Sequence, residues 1–119
     1  RAPVLVPSID EWLTAFLRSK AREVRADALA VGVANDHVHA LIHSPPTLSI
    51  AQLAQQLKGS SSRECNRMQL TIDRLEWQIG YWAESVSPDH VARLTPYIRA
   101  QRAHHDAGVI EPWATLESR

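Results

Sequence analysis

Two histidines separated by one residue, His37 and His39, are the first side chains whose types and spacing suggest chemistry. Alternate side chains of a β-strand point to the same face, so the sequence predicts two neighbouring imidazoles. Imidazole pairs bind zinc, manganese, iron or nickel, but two ligands leave a metal site incomplete. A third ligand would have to come from elsewhere in the fold. The alternative, two ordinary surface or hydrogen-bonded histidines, stays open at this point.

Tyr97 and Gln101 are four residues apart near the C-terminus and would share one face of a helix. A carboxamide oxygen is a usable metal ligand, and a phenol can act as a covalent nucleophile. A metal held by His37, His39 and Gln101 could therefore polarise a phosphate that Tyr97 attacks. The alternative is that Tyr97 is a half-buried aromatic residue and Gln101 a solvated amide.

The elements that must position these residues follow from apolar periodicity and from capping signals. Ser8 with Glu11 and Ser49 with Gln52 form capping-box patterns, and Ser87 before Pro88 is typical of a helix start. The predicted elements are a helix over 9–25, a hairpin of strands 28–34 and 37–43, a helix from 50 that Gly59 ends or bends, a weak helical extension over 60–74, a strand over 76–85 and a helix from 88 to about 107.

Strands and helices in this order predict a single α+β domain over 1–119, with a ferredoxin-like or RRM-like antiparallel sheet. Helices are expected to pack on one face of the sheet, and the candidate nucleophile lies on a C-terminal helix. The composition is that of a globular protein, with 45% hydrophobic and 22% charged residues, which excludes disorder and fibrous repeats.

The net charge is zero, with 13 basic and 13 acidic residues, so any anion-binding surface must be local. The chain has one cysteine, Cys65, which is expected to be a buried, inert thiol. We found no apolar stretch long enough to cross a membrane, so a cytoplasmic protein with no membrane partner is expected.

Several segments together resemble the single-tyrosine HUH transposases of small insertion sequences, the IS200-like family. They are Asn35-Asp-His-Val-His-Ala-Leu-Ile42, Leu57-Lys-Gly59, Gly80-Tyr81, Tyr97-Ile-Arg-Ala-Gln101 and His104-His105. The histidine pair precedes the tyrosine by about sixty residues, as in that family, whereas relaxases place the tyrosine first. Gln101, where replication initiators carry lysine, also favours a transposase. The resemblance covers nearly the whole chain.

The resemblance implies a DNA transposase and endonuclease that acts on single-stranded DNA at hairpin-marked element ends. His37 and His39 would form the HUH motif, Gln101 would complete the metal site, and Mg²⁺ or Mn²⁺ would be the ion. Tyr97 would cleave the strand, leaving a 5′-phosphotyrosine and a free 3′-hydroxyl. Two alternatives remain: a domesticated relative that processes palindromic repeats, and a module that binds nucleic-acid hairpins without cutting them.

The resemblance also implies a homodimer whose tyrosine helices complete the partner's active site. An aromatic strand containing Trp77, Tyr81 and Trp82 would provide a pairable edge for such a dimer. The family's first strand has no counterpart in this sequence, so an incomplete N-terminus is expected. The candidate DNA-binding residues are all basic: Lys58, Arg63, Arg67, Arg93, Arg99 and Arg102.

Overall fold

The fold is given by a computed structural model that describes residues 5, 7–34, 36–77, 83 and 85–100, together with the backbone of 115–117. A short 3₁₀ turn at Pro7–Ile9 precedes the regular elements. In chain order these are α1 Asp10–Glu23, β1 Asp27–Val33, β2 His37–His43, α2 Ile50–Arg67, α3 Pro88–Arg99 and β3 Thr115–Glu117. The predicted α+β class is confirmed.

The hairpin of β1 and β2 forms as predicted, to within one residue at its ends. The strands are antiparallel, and the backbone N–H of Ala34 donates to the carbonyl of His37 at 2.9 Å across the turn. The register shifts between Ala28 and Ala30, which marks a bulge in β1. The backbone of β3 pairs with the other edge of β2, so β2 is central in the order β1-β2-β3.

α1 buries the apolar stripe that its sequence predicts, with Leu13, Leu17 and Ala21 facing the core. The predicted capping box at Ser8 was wrong, because Ser8 lies in the 3₁₀ turn and Ile9 is the N-cap, without a side-chain cap. The helix also ends earlier than predicted, at Glu23. Arg25 has a left-handed backbone, with φ of 64°, and this conformation stops the helix.

α2 begins with the predicted capping box. The Gln52 N–H donates to Ser49 Oγ and the Ser49 N–H donates to Gln52 Oε1, both at 3.0 Å. Gly59 does not end the helix, which runs on to Arg67 and includes part of the predicted weak extension. The inward positions after Gly59 are small: Ser60, Ser61 and Cys65 are all buried against the core. Tertiary packing therefore outweighs the weak helix propensity of this stretch.

α3 starts at Pro88, with Ser87 at the predicted N-cap position, and its last residue is Arg99. The Ser87 hydroxyl contacts His90 Nδ1 at 2.9 Å instead of capping a backbone N–H. The predicted continuation of this helix over 101–107 lies outside the described residues. Within the described part of the chain, none of the helices is long and apolar enough to cross a membrane.

The sheet separates two groups of buried side chains. α1 and α2 cover one face and form the main core, which includes Leu13, Leu17, Val31, Val38 and Leu57. α3 covers the opposite face, where Ile98 packs with Ala30 and Leu41. Two helices thus share one face, as a ferredoxin-like arrangement requires, and among the described helices α3 alone packs on the other face.

The segment after α2 is tied back to that helix by Asn66. Its amide nitrogen donates to the Leu75 carbonyl at 2.9 Å, and its amide oxygen accepts from the Leu75 N–H at 2.8 Å. Trp77 is buried, and its indole N–H donates to Ser61 Oγ at 2.9 Å. Of the strand predicted over 76–85, Trp77 makes an isolated bridge, and residues 76, 83 and 85 are not in a strand. Residues 78–82 and 84 lie outside the described chain.

We expect Asn66→Ala to destabilise the fold by about 2 kcal/mol, because both Leu75 backbone groups lose their partner. Urea unfolding followed by tryptophan fluorescence would measure the change. Gln55→Ala is the matched control, since Gln55 is exposed on the same helix. Equal midpoints for the two variants would contradict the anchoring role of Asn66.

Candidate active site

The two histidines of the predicted metal site are neighbours on β2. The His37 and His39 rings lie edge to face, with centroids 4.9 Å apart and planes at 83°. His39 is buried, with 3% of its surface exposed, whereas His37 is partly accessible. The sequence-based prediction that these imidazoles share one face is therefore confirmed.

Strand alternation explains why both histidines face away from the main core. Val38 is fully buried in that core, and Ala40 and Ile42 pack against it from the same side of β2. His37, His39 and Leu41 consequently point to the opposite face, on which Leu41 packs with Ile98 of α3. We call this side of the sheet the histidine face.

α3 lies across the histidine face of its own chain. Ile98 is 2% exposed and packs with Ala30 and Leu41, one residue on each strand of the hairpin. At the end of the helix, Arg99 Nη2 donates to the Leu29 carbonyl at 3.1 Å. The remaining apolar contacts of this cluster are made by Leu29, Val86, Val91 and Leu94.

Tyr97 adjoins Ile98 on α3, so its helix sits on the side of the sheet that holds His37 and His39. The Tyr97 side chain is half-buried, and its hydroxyl oxygen is shielded from solvent. On β1, Gly32 pairs with His39 and has no side chain to place beside the imidazole. The predicted third ligand, Gln101, lies outside the described residues, as does Arg102.

Asp36 is a site residue that the sequence pattern did not indicate. Its Oδ1 lies 2.8 Å from His37 Nδ1, and it occupies the turn that leads into β2. In the sequence, Asn35-Asp36 indicates a turn and nothing more. Its position directly before a candidate metal ligand could have indicated it, because carboxylates commonly orient the imidazoles of metal sites.

Among the described residues, no group of three or more histidine, cysteine, aspartate or glutamate side chains could hold a metal ion. Cys65 is not a candidate nucleophile, because burial raises the pKa of its thiol, only partly offset by the Thr71 hydroxyl. The expected buried thiol is confirmed.

The described candidates for DNA binding divide between two sides of the sheet. Arg93 and Arg99 are on α3, the helix of the histidine face, while Lys58, Arg63 and Arg67 are on α2. Arg67 pairs with Glu64, and this contact raises the pKa of Arg67 and lowers that of Glu64. These five described residues therefore do not form one continuous surface.

An open groove of about 550 Å³ lies beside α2, at the segment that Asn66 anchors. Three of its residues are arginines, but Arg67 pairs with Glu64, and Arg74 Nε lies 3.9 Å from Glu76 Oε1. These acidic partners reduce the attraction of the groove for an anion. It is lined by Ser62, Arg63, Asn66, Arg67, Arg74, Leu75, Glu76 and Trp77.

Comparison with known proteins supports the family resemblance found in the sequence. A family model described as "Transposase IS200 like" matches residues 1–101, which include His37, His39, α3 and Tyr97. Searches of curated proteins and of solved structures gave no significant match. The matched region covers most of the 119 residues, and the chain therefore belongs to the IS200-like transposase family.

Proposed function

We propose that this chain is a metal-dependent transposase that nicks and rejoins single-stranded DNA at hairpin-marked ends, in the cytoplasm. The observation that carries the proposal is the packing of α3, the helix of Tyr97, across the sheet face that holds His37 and His39. A nucleophile and a pair of metal ligands on one side of a sheet are the parts that this reaction needs.

In the proposed reaction, the Tyr97 phenolate oxygen attacks the phosphorus of a DNA phosphodiester. The bond from phosphorus to the 3′-oxygen breaks, and that oxygen takes up a proton to become a free 3′-hydroxyl. The other fragment remains attached as a 5′-phosphotyrosine. Rejoining is the reverse exchange, in which a 3′-hydroxyl attacks the phosphotyrosine and releases the phenol, so one ester replaces another and no external energy source is needed.

His37, His39 and Gln101 would hold the ion, which as Mg²⁺ or Mn²⁺ would polarise the attacked phosphate. The donor set fits such an ion, because two imidazole rings with centroids 4.9 Å apart stand on one strand face. Two nitrogen ligands suit Mn²⁺ better than Mg²⁺, which prefers oxygen ligands and retains its water.

Single-stranded hairpin DNA is the proposed partner, and a homodimer with composite active sites is the proposed assembly. The sequence suggested that Trp77 lies on a strand edge where a second chain could pair. Its side chain is instead buried in the main core and hydrogen-bonded to Ser61, so it does not support the dimer. The contacts of α3 with its own sheet favour a tyrosine supplied in cis. Those contacts are made within one chain and do not test a dimer. The composite site is what the family resemblance implies, and it is the arrangement that we propose.

The function is tested by incubating the protein and Mn²⁺ with a 3′-labelled single strand that carries a hairpin. We expect a labelled protein–DNA adduct on a denaturing gel, and no adduct in EDTA. Retarded migration on a native gel without any adduct would instead favour the non-cutting binding module. A domesticated relative would form the same adduct but would lack element ends beside its gene.

Binding of the single strand should depend on Arg93, which is exposed on α3. We expect Arg93→Ala to weaken binding about fivefold at low salt and to reduce the salt slope by about 0.7, as for one lost phosphate contact. Fluorescence anisotropy at several salt concentrations would measure both quantities. Arg18→Ala, an exposed arginine on α1, is the matched control, and equal losses in the two variants would contradict a local DNA surface on α3.

A further inference from the structure

The turn between β1 and β2 places a carboxylate against the first of the two HUH histidines. Asp36 Oδ1 and His37 Nδ1 are 2.8 Å apart, a short distance for a hydrogen bond between an imidazole and a carboxylate. The Ala34 N–H donates to the His37 carbonyl at 2.9 Å and closes the turn in which Asp36 lies. The hairpin thus sets Asp36 directly before His37, within reach of its ring.

This contact determines which nitrogen of His37 can bind a metal. A carboxylate is only an acceptor, so Nδ1 must carry the proton, and the lone pair of the neutral ring is then on Nε2. The same contact fixes the rotation of the ring about its bond to the strand. His39, edge to face at 4.9 Å, restricts the ring from a second side.

We propose that Asp36 is a positioning residue, which holds His37 in the Nδ1–H tautomer so that Nε2 is presented to the metal. The inference rests on the proposed metal site, but it concerns a residue outside the ligand set. In metal sites, removal of a carboxylate that orients a histidine ligand typically weakens metal binding.

Two measurements test the role of Asp36. Long-range ¹H–¹⁵N NMR of the metal-free protein at pH 8 should show His37 as the Nδ1–H tautomer, with the Nε2–H form rising in Asp36→Ala. Titration with Mn²⁺, followed by the EPR signal of the free ion, should show about ten- to a hundredfold weaker binding in Asp36→Ala. Asp36→Asn should fall between, because its amide oxygen still accepts the hydrogen bond without a charge.

Asp27→Ala is the matched control, since Asp27 is exposed at the other end of the same hairpin, opposite His43. It should bind Mn²⁺ as the parent protein does. Unchanged Mn²⁺ affinity in Asp36→Ala, or an Nε2–H tautomer in the parent protein, would overturn the proposal, as would a parent protein that binds no Mn²⁺. If instead Mn²⁺ binding depends on Asp36 but no DNA adduct forms, the positioning role holds and the proposed reaction fails.

Discussion

Tyr97→Phe should abolish the covalent protein–DNA adduct, with a loss of at least about 10³-fold in the rate of cleavage. Only the phenol oxygen is removed, and the ring can keep its half-buried place beside Ile98 on α3. Hairpin binding should therefore persist. The loss of a single hydroxyl should change the free energy of unfolding by about 1 kcal/mol.

The experiment compares adduct yield on denaturing gels with affinity on native gels, using the same labelled strand. Tyr81→Phe is the matched control, since Tyr81 is the other tyrosine of the chain and lies outside the described residues. It should retain the adduct. Continued labelling of the Tyr97→Phe protein would show that another residue is the nucleophile.

The ends of the helices show where sequence patterns stop being informative. Two residues after the last residue of α1 and of α2, the backbone turns left-handed, at Arg25 with φ of 64° and at Gln69 with φ of 54°. In each case the N–H of the following residue reaches back to the helix: Ala26 donates to the Ala21 carbonyl and Leu70 to that of Cys65. Glycine usually occupies this position, so neither end carried a recognisable signal.

The histidine face could be predicted because it depends on local geometry alone. Alternation along one strand determines that His37 and His39 point the same way, and it needs no knowledge of the rest of the fold. The position of α3 over that face was harder to predict, because it depends on how Ile98 packs against Ala30 and Leu41. Asp36 could not be identified, because an aspartate before a histidine in a turn looks the same in the sequence whether or not its carboxylate contacts the imidazole.

Gly59 and Trp77 show tertiary packing overriding a local signal. The helix continues past Gly59 because small side chains on its inner face, including Ser61, fit against the core. Ser61 in turn accepts the indole N–H of Trp77 at 2.9 Å, and this draws the tryptophan inward. The alternating pattern around Trp77 suggested a strand edge available to a partner, whereas its side chain belongs to the interior of its own chain.

His37→Ala should reduce cleavage at limiting Mn²⁺ by at least about a hundredfold, because the proposed site loses one of its two imidazoles. His37 is the better histidine to replace, because His39 is 3% exposed and truncating His39 would also leave a cavity. His43→Ala is the matched control, since His43 is exposed on the same face of β2. Equal cleavage by the His37→Ala and parent proteins would contradict the metal assignment.

The same variant tests where the tyrosine comes from. Mixed with Tyr97→Phe under subunit exchange, His37→Ala should restore about a quarter of parental cleavage if the sites are composite, because half of the dimers are mixed and each has one intact site. No recovery despite exchange would place Tyr97 in cis, as the contacts of α3 with Ala30 and Leu41 favour. Sedimentation as a monomer at micromolar concentration would contradict the dimer itself, and cleavage would then have to come from one chain.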